Sequence, residues 1–246
     1  MNVTFLGHAG MYIETRFGSI LSDPWFNPAF FGSWFPFPSN ESIVRERISH
    51  PTYLYISHLH HDHYDSRFLD EYVAKDTMVI LPDYPIDTME QALRGLGFTR
   101  FLRTRNGEVI ESDGLRLMVV AQVAPVDGPL GDSGLLVDDG ETRLYDQNDS
   151  RPVDFDRIAS FGALDAHFLQ FSGAIWYPMV YGYPERMMAA LGRKKRENGQ
   201  ARALRYAQEV GATFIVPSAG PPCFLDEELF HFNDCDDDPT NTFPDQ

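Results

Sequence analysis

Four imidazoles and two carboxylates stand within eight residues, His58-Leu59-His60-His61-Asp62-His63-Tyr64-Asp65. An ordinary core does not tolerate such density, because every buried polar group needs a partner. The run Thr52 to Ser57 ahead of it reads as a strand, which places the cluster on the loop at that strand's C-terminal end. In extended backbone His58 and His60 face the same side and can share one metal ion. A turn then brings Asp62 and His63 onto a second ion. Two metals at that spacing lower the pKa of bridging water and clamp both the entering and the departing oxygen. Whatever fold the chain adopts must therefore present a dinuclear site on this loop.

The chain has 246 residues, which suits a single domain with its own core, spanning 1–246 with a polar, frayed tail over 233–246. Short apolar runs bounded by turn residues predict strands at 2–6, 11–15, 18–22, 53–57, 78–81, 108–111, 115–123, 134–138, 142–145, 165–170 and 213–217. Helical periods fall at 66–74, 87–96, 184–194 and 199–210, with Ser66 and Asp87 as N-caps. Paired strands followed by strands alternating with helices, in an order that recurs loosely in each half, imply mixed sheets covered by helices.

The formal charge of −16 argues against nucleic acid and anionic membrane as partners. Two cysteines, Cys223 and Cys235, are too few for a disulfide framework or a four-cysteine zinc site. No apolar run approaches a membrane span, and the N-terminus lacks a signal pattern, so a cytoplasmic, soluble protein is expected. Arg193-Lys194-Lys195-Arg196 reads as a solvated helix end that could still attract a phosphate. Two aromatic segments interrupted by proline stand out. One holds Trp25, Phe26, Phe30, Phe31, Trp34 and Phe35; the other holds Trp176 and Tyr177. Each reads as a loop folded on the core, and the pair as the walls of an apolar substrate pocket.

The sequence resembles the metallo-β-lactamase superfamily, whose H-x-H-x-D-H motif stands here as His58, His60, Asp62 and His63. Gly7-His8-Ala9-Gly10 and Leu21-Ser22-Asp23-Pro24 look like that family's opening strands. The resemblance implies an αββα sandwich of two mixed β-sheets with helices on the outer faces. It makes Asp23 a hydrogen-bond partner of a ligand histidine; His8 reads as a supporting group or substrate contact, or equally as a buried structural histidine. The family's third ligand to the first metal is a downstream histidine, but the matching stretch has none, leaving Asp132 as first choice and Asp127 as second. Asp149 is preferred over Asp146 as the bridging carboxylate, and His231 over Asp226 as the last ligand. Asp62 and Asp149 would then carry the catalytic water. A carboxylate in place of a histidine hardens the ligand set, which favours iron, with zinc or manganese as alternatives.

Phe171-Ser172-Gly173-Ala174 with Tyr177-Pro178-Met179, and Ile215-Val216-Pro217-Ser218-Ala219-Gly220, are similar to CMP-sialic acid hydroxylase-like proteins, which pair this fold with a Rieske domain. The same branch includes diiron thioesterases of diterpenoid antibiotic biosynthesis, similar in their aromatic loops and length. The resemblance implies a hydrolase in which hydroxide bridging two metals attacks the thioester of a bulky, terpenoid-like acyl-CoA. A diiron oxygenase supplied with electrons by a separate partner is the alternative, and a zinc or manganese phosphodiesterase or lactonase a further one. Cys223 and Cys235 lack the Cys-x-His pairing of a Rieske site, so these residues encode no such cluster. Oligomeric state is not legible.

Overall fold

The computed structural model describes residues 1–123, 130–173, 176–220, 222–233 and 240–243. The first half of the chain builds a six-stranded sheet in sequence order: β1 (Asn2–Gly7), β2 (Gly10–Thr15), β3 (Gly18–Ser22), β4 (Tyr53–Tyr55), β5 (Met78–Leu81) and β6 (Arg100–Arg103). The second half builds another: β7 (Val109–Ser112), β8 (Leu115–Gln122), β9 (Asp132–Asp138), β10 (Arg143–Asn148), β11 (Ala166–Gln170) and β12 (Phe214–Ser218). Both open with antiparallel hairpins and end in parallel strands, the change falling at β3–β4 and at β10–β11. Parallel pairs need crossovers, and these carry the helices α1 (Ser66–Glu71), α2 (Thr88–Gly95), α3 (Phe155–Ala159) and α4 (Glu185–Val210).

Alternation along the strands sorts the side chains into layers. Ile13, Tyr53, Tyr55 and Ile80 meet Leu117, Val119, Leu135 and Val137 in a buried cluster between the sheets. Leu54 and Val79 face the other way and pack with Phe68 and Leu69 of α1 and Met89 and Leu93 of α2. Met118, Val120 and Leu136 do the same on the second sheet, against Ile158 of α3 and Phe161. The result is helix, sheet, sheet, helix, as the resemblance implied.

Several local expectations shift. Arg100–Arg103 forms an edge strand whose two apolar residues between arginines gave no strand pattern, and α3 is too short to show a period. Helix α4 is continuous across Lys195 to Asn198, where a break was expected. Gly192 allows the helix to lie close on the chain's end, since a Cβ there would meet the carbonyls of Thr240 and Asn241 at 2.8 and 2.9 Å. The cap of α1 is Asp65 rather than Ser66; its carboxylate accepts from Phe68 N at 3.0 Å. The frayed tail does not hold for 240–243. Asn241, Thr242 and Phe243 are buried, because the Phe243 ring packs against Phe224 in an aromatic cluster.

Candidate metal centre

The histidine loop leaves β4 through Ile56 and Ser57, and two features fix its start. Ser57 donates from its backbone N to Asp23 Oδ1 at 2.8 Å and from Oγ to Asp23 Oδ2 at 2.6 Å. Its carbonyl accepts from Ser133 Oγ at 2.8 Å and from the Tyr84 hydroxyl. Beyond Ser57 a tight turn, with His63 N and Tyr64 N both donating to His60 O, folds the motif back on itself.

That turn, together with the ends of β1 and β10, assembles two groups, each with its ligand atoms within 4.8 Å of one another: His58, His63 and Asp149 in one, and His8, Asp62 and His63 in the other. His63 is common to both. Its Nε2 lies 3.5 Å from Asp149 Oδ2 and 3.9 Å from Asp62 Oδ2, while Asp62 Oδ2 lies 3.1 Å from His8 Nε2. His60 joins through its Nδ1, 3.1 Å from His58 Nε2. His63 Nε2, Asp62 Oδ1 and Asp149 Oδ1 are buried with no hydrogen-bond partner among the described residues. Buried polar atoms left so are costly, and three converging on one space fit a bound cation.

Backbone strain marks the same place. His8, Asp23 and Asn148 adopt left-handed backbone with φ of 52°, 40° and 42°. His, Asp and Asn are the side chains that enter that region most readily, and three of them in one place persist where the surroundings impose that backbone. His8 is pinned from both sides, its N donating to Phe37 O and its carbonyl accepting from Ala219 N. Asn148 donates from Nδ2 to Ser133 O and accepts from Asp149 N, which aims the Asp149 carboxylate.

Electrostatics favour a cation here. Burial opposes the imidazolium of His63, but Asp149, Asp23 and Asp62 outweigh it and hold its pKa well above the ordinary value. Burial would likewise raise Asp62, yet His63 and His8 bring it down to about 2. Asp149 falls below the usual carboxylate range for the same reason, the nearby His63 outweighing burial. His58, by contrast, is pushed well below the imidazole range by burial, with His63 adding to the effect. A field that keeps a proton on His63 against burial is one that would hold a metal ion.

No family model matches the chain. Across its whole length it is 52% identical, over 251 residues, to a Mycobacterium tuberculosis protein named as a Rieske 2Fe-2S iron-sulfur protein, and it spans 49% of that protein. The chain thus spans about half the length of the curated relatives it matches. Among solved structures, it superposes on an isothiocyanate hydrolase from Delia radicum gut bacteria with a TM-score of 0.63 at 16% identity, covering 95% of this chain and 93% of that one. It superposes on CmlA, a diiron beta-hydroxylase from Streptomyces venezuelae, at 0.58 and 19% identity, over 88% and 44%. The metallo-beta-lactamase fold protein YhfI from Bacillus subtilis aligns at 0.54 and 15%, over 87% and 79%.

The chain has the metallo-β-lactamase fold. Within that fold the site lies on the loops that follow β1, β3, β4 and β10. His58, His60, Asp62 and His63 lie together on this loop, with Asp23 behind His63. Asp149 rather than Asp146 reaches the ligand groups. Asp146 instead accepts from Ser22 Oγ at 2.6 Å, and burial, with Asp23 adding, pushes its pKa up to about 8.

Other placements differ from expectation. Asp132 is buried beside the Nδ1 edge of His58, 3.3 Å away, and is in neither ligand group. It starts β9, and pairing with β8 directs it at that ring edge, where it can orient the imidazole. Asp127 lies outside the described residues, as does Cys235. His231 is exposed on a 3-10 turn with its ring 4.0 Å from Phe232, and neither it nor the exposed Asp226 joins a ligand group. His8 instead stands with Asp62 and His63 in a group that could hold a metal ion; its lone place after β1 gave no metal-ligand spacing to read.

The two aromatic loops do meet. Trp25, Trp34, Phe224 and Phe243 form a buried cluster joined by Phe30 and Trp176, and Phe30 lies 5.7 Å from the His61 ring and 6.1 Å from His60. Not every ring serves it. Phe26 stacks on Phe68 at 4.4 Å in the helix-covered core, where Asp65 holds its backbone, and so is no pocket wall. Trp25 is fully buried, edge-on to His8; Phe31 and Tyr177 are exposed, and Phe35 pairs with Cys223.

No helix among the described residues is long and apolar enough to cross a membrane.

Proposed function

We propose that the chain is a dinuclear-metal hydrolase that cleaves the thioester of a bulky apolar acyl-CoA, with iron as the first metal to test and zinc or manganese as alternatives. The observation that carries this reading is the aromatic cluster abutting the ligand loop, with Phe30 against His60 and His61 and Trp34 and Trp176 behind it. His58, His60, Asp62, His63, Asp149 and His8 would hold the metals. Two cations there would supply a nucleophilic water at neutral pH and polarise a carbonyl.

The chain's own groups do the rest. Asp62 and Asp149 stay ionised and available, since their neighbours keep both below the usual carboxylate range. Asp23 and Ser57 fix the Nδ1 edge of His63. Phe30, Trp34 and Trp176 exclude water and hold an apolar acyl group; each ~100 Å2 of ligand surface buried stabilises binding by roughly 2.5 kcal/mol. A thiolate leaves without much protonation, given an ordinary thiol pKa of about 8.5. That suits a site with no evident general acid on the leaving side.

A second reading, O2-dependent hydroxylation with electrons from a Rieske centre, is favoured by the relatives' name and by their length, about twice that of this chain. One assay separates the two. Under strict anaerobic conditions the hydrolase releases one free thiol per turnover from bulky apolar acyl-CoAs and prefers them to acetyl-CoA. Turnover that requires O2 and reductant, leaving the substrate hydroxylated and no thiol released, would replace it with the oxygenase.

A further inference from the structure

A cavity of about 420 Å3 lies between α4, the segment ending in Ser172 and Gly173, and Thr242. Sites for small molecules have volumes of this order. Gly173 on one side and Gly199 on the other carry no side chain to fill it. Arg151, Lys194, Lys195 and Arg202 also line it. Arg151, Lys195 and Arg202 interact with other groups, so what the cavity can recognise has to be read from its uncharged side chains.

Three of these stand out. Ser172 Oγ, on the cavity wall, is buried and has no hydrogen-bond partner among the described residues, a costly state that a polar ligand atom relieves. Asn198 of α4 brings an amide, which donates at one atom and accepts at another. Tyr177 lines the cavity with an exposed ring, although it directly follows Trp176, whose own ring packs in the aromatic cluster. Tyr177 meets Tyr181 edge to face at 5.5 Å, and Tyr181 stacks on Tyr183 at 5.5 Å, so three tyrosines brace one another on this turn. Arg202 Nη2 comes within 3.7 Å of where a Gly173 Cβ would stand, which brings the guanidinium across to the facing segment. A guanidinium hydrogen-bonded at its edge still presents a flat face on which an aromatic ring can stack.

We propose that this cavity binds a purine base, its ring stacked against Tyr177 and its polar edge toward Ser172 and Asn198. Every base has a π-face for an aromatic or guanidinium plane. A purine's ring nitrogens and exocyclic group need the donors and acceptors that the hydroxyl and the amide supply. Tyr177 and Thr242 line the cavity while their chain neighbours Trp176 and Phe243 pack in the aromatic cluster, so a ligand held at that cluster can extend into the cavity. The cavity stands on its own residues; only the larger ligand's identity rests on the thioester reading, under which the base is the adenine of CoA.

Adenosine, which carries the base without a phosphate, is the probe, titrated calorimetrically into the metal-loaded chain. Saturable binding is expected, with an affinity that added salt leaves nearly unchanged, because the probe is uncharged. Tyr177→Ala should lower affinity about tenfold and Tyr177→Phe hardly at all, since the ring face rather than the hydroxyl makes the contact. Ser172→Ala should cost several-fold. His60→Ala, which disturbs the metals, should leave adenosine affinity within about twofold. Absence of saturable adenosine binding would overturn the proposal, and inorganic pyrophosphate binding in its place would mark the cavity as an anion site. Equal affinity in wild type, Tyr177→Ala and Ser172→Ala would also overturn it, as would a loss confined to His60→Ala. Adenosine binding in protein that releases no thiol from acyl-CoA would keep this site and remove the thioester reading.

Discussion

His63 Nδ1 lies 2.8 Å from Asp23 Oδ2, with both side chains fully buried. The contact settles which imidazole nitrogen faces the site. Asp23 accepts the Nδ1 proton and leaves Nε2 toward Asp62 and Asp149. Asp23, in left-handed backbone, directly follows β3, and Ser57, just after β4, ties its carboxylate to the ligand loop, so the ends of two neighbouring strands fix one ring orientation.

Asp23→Asn should therefore keep the fold and weaken metal binding by roughly 10–100-fold, the usual effect of losing such a partner. Competition against a chromogenic chelator measures it. Unchanged affinity would remove Asp23 from the site's support.

His60→Ala and Asp62→Ala should lose metal and activity together, since both are assigned as direct ligands. Metal analysis of protein purified without added metal, before and after each change, gives the answer. Full metal content in His60→Ala would mean that the motif had been misassigned.

What the sequence made legible followed from local pattern. A largely apolar run such as Leu115–Gln122 is a signal carried by adjacent residues, and so is the clustering of His58, His60, Asp62 and His63. The preference for Asp132 over Asp127 as a ligand, and the reading of His8 as a supporting group, were not of that kind. His8 reaches the ligand group only because Phe37 and Ala219 pin it in left-handed backbone, a contact between segments far apart in sequence. Asp132 stands in the stretch where the family has its histidine, yet strand register turns it toward the side of the His58 ring. Phe26 misled for a related reason: composition grouped it with its aromatic neighbours, while Asp65 holds it against α1.

Acid should destabilise the protein through His167, a residue outside the metal loop. Its ring donates from Nε2 to Gln147 Oε1 at 2.7 Å and stacks on Tyr145, and burial lowers its pKa to about 3. An unfolded histidine titrates near 6.5. Above that pH neither state binds the proton and the stability contribution is complete. As pH falls from about 6.5 toward 3, the unfolded chain takes up a proton that the folded chain refuses, and stability drops by on the order of 1 kcal/mol per unit. Urea unfolding of wild type and His167→Gln across pH 7 to 4 (about the range in which histidine titrates) should show a shallower slope in the variant. Identical slopes would place the charge-sensitive group elsewhere.

Asp65 joins the metal loop to the first aromatic segment, and its loss should be felt in both. Its Oδ1 caps α1 at Phe68 N, while Oδ2 accepts from Phe26 N at 2.9 Å and Asn27 N at 2.8 Å. Asn27 Nδ2 adds a further donor at 3.0 Å. Replacement by Ala removes an N-cap, about 1 kcal/mol, and strands the backbone N–H groups that this carboxylate satisfies, at roughly 1–3 kcal/mol. Asp65→Ala should thus lose about 2–4 kcal/mol in urea unfolding. Asp65→Asn, which keeps one acceptor oxygen, should lose less. Because the segment that Asp65 anchors carries Trp25 against His8 and Phe30 against His61, metal affinity should fall with stability in Asp65→Ala and recover partly in Asp65→Asn. A variant that lost stability while binding metal as tightly as wild type would show the aromatic segment to be independent of the metal centre.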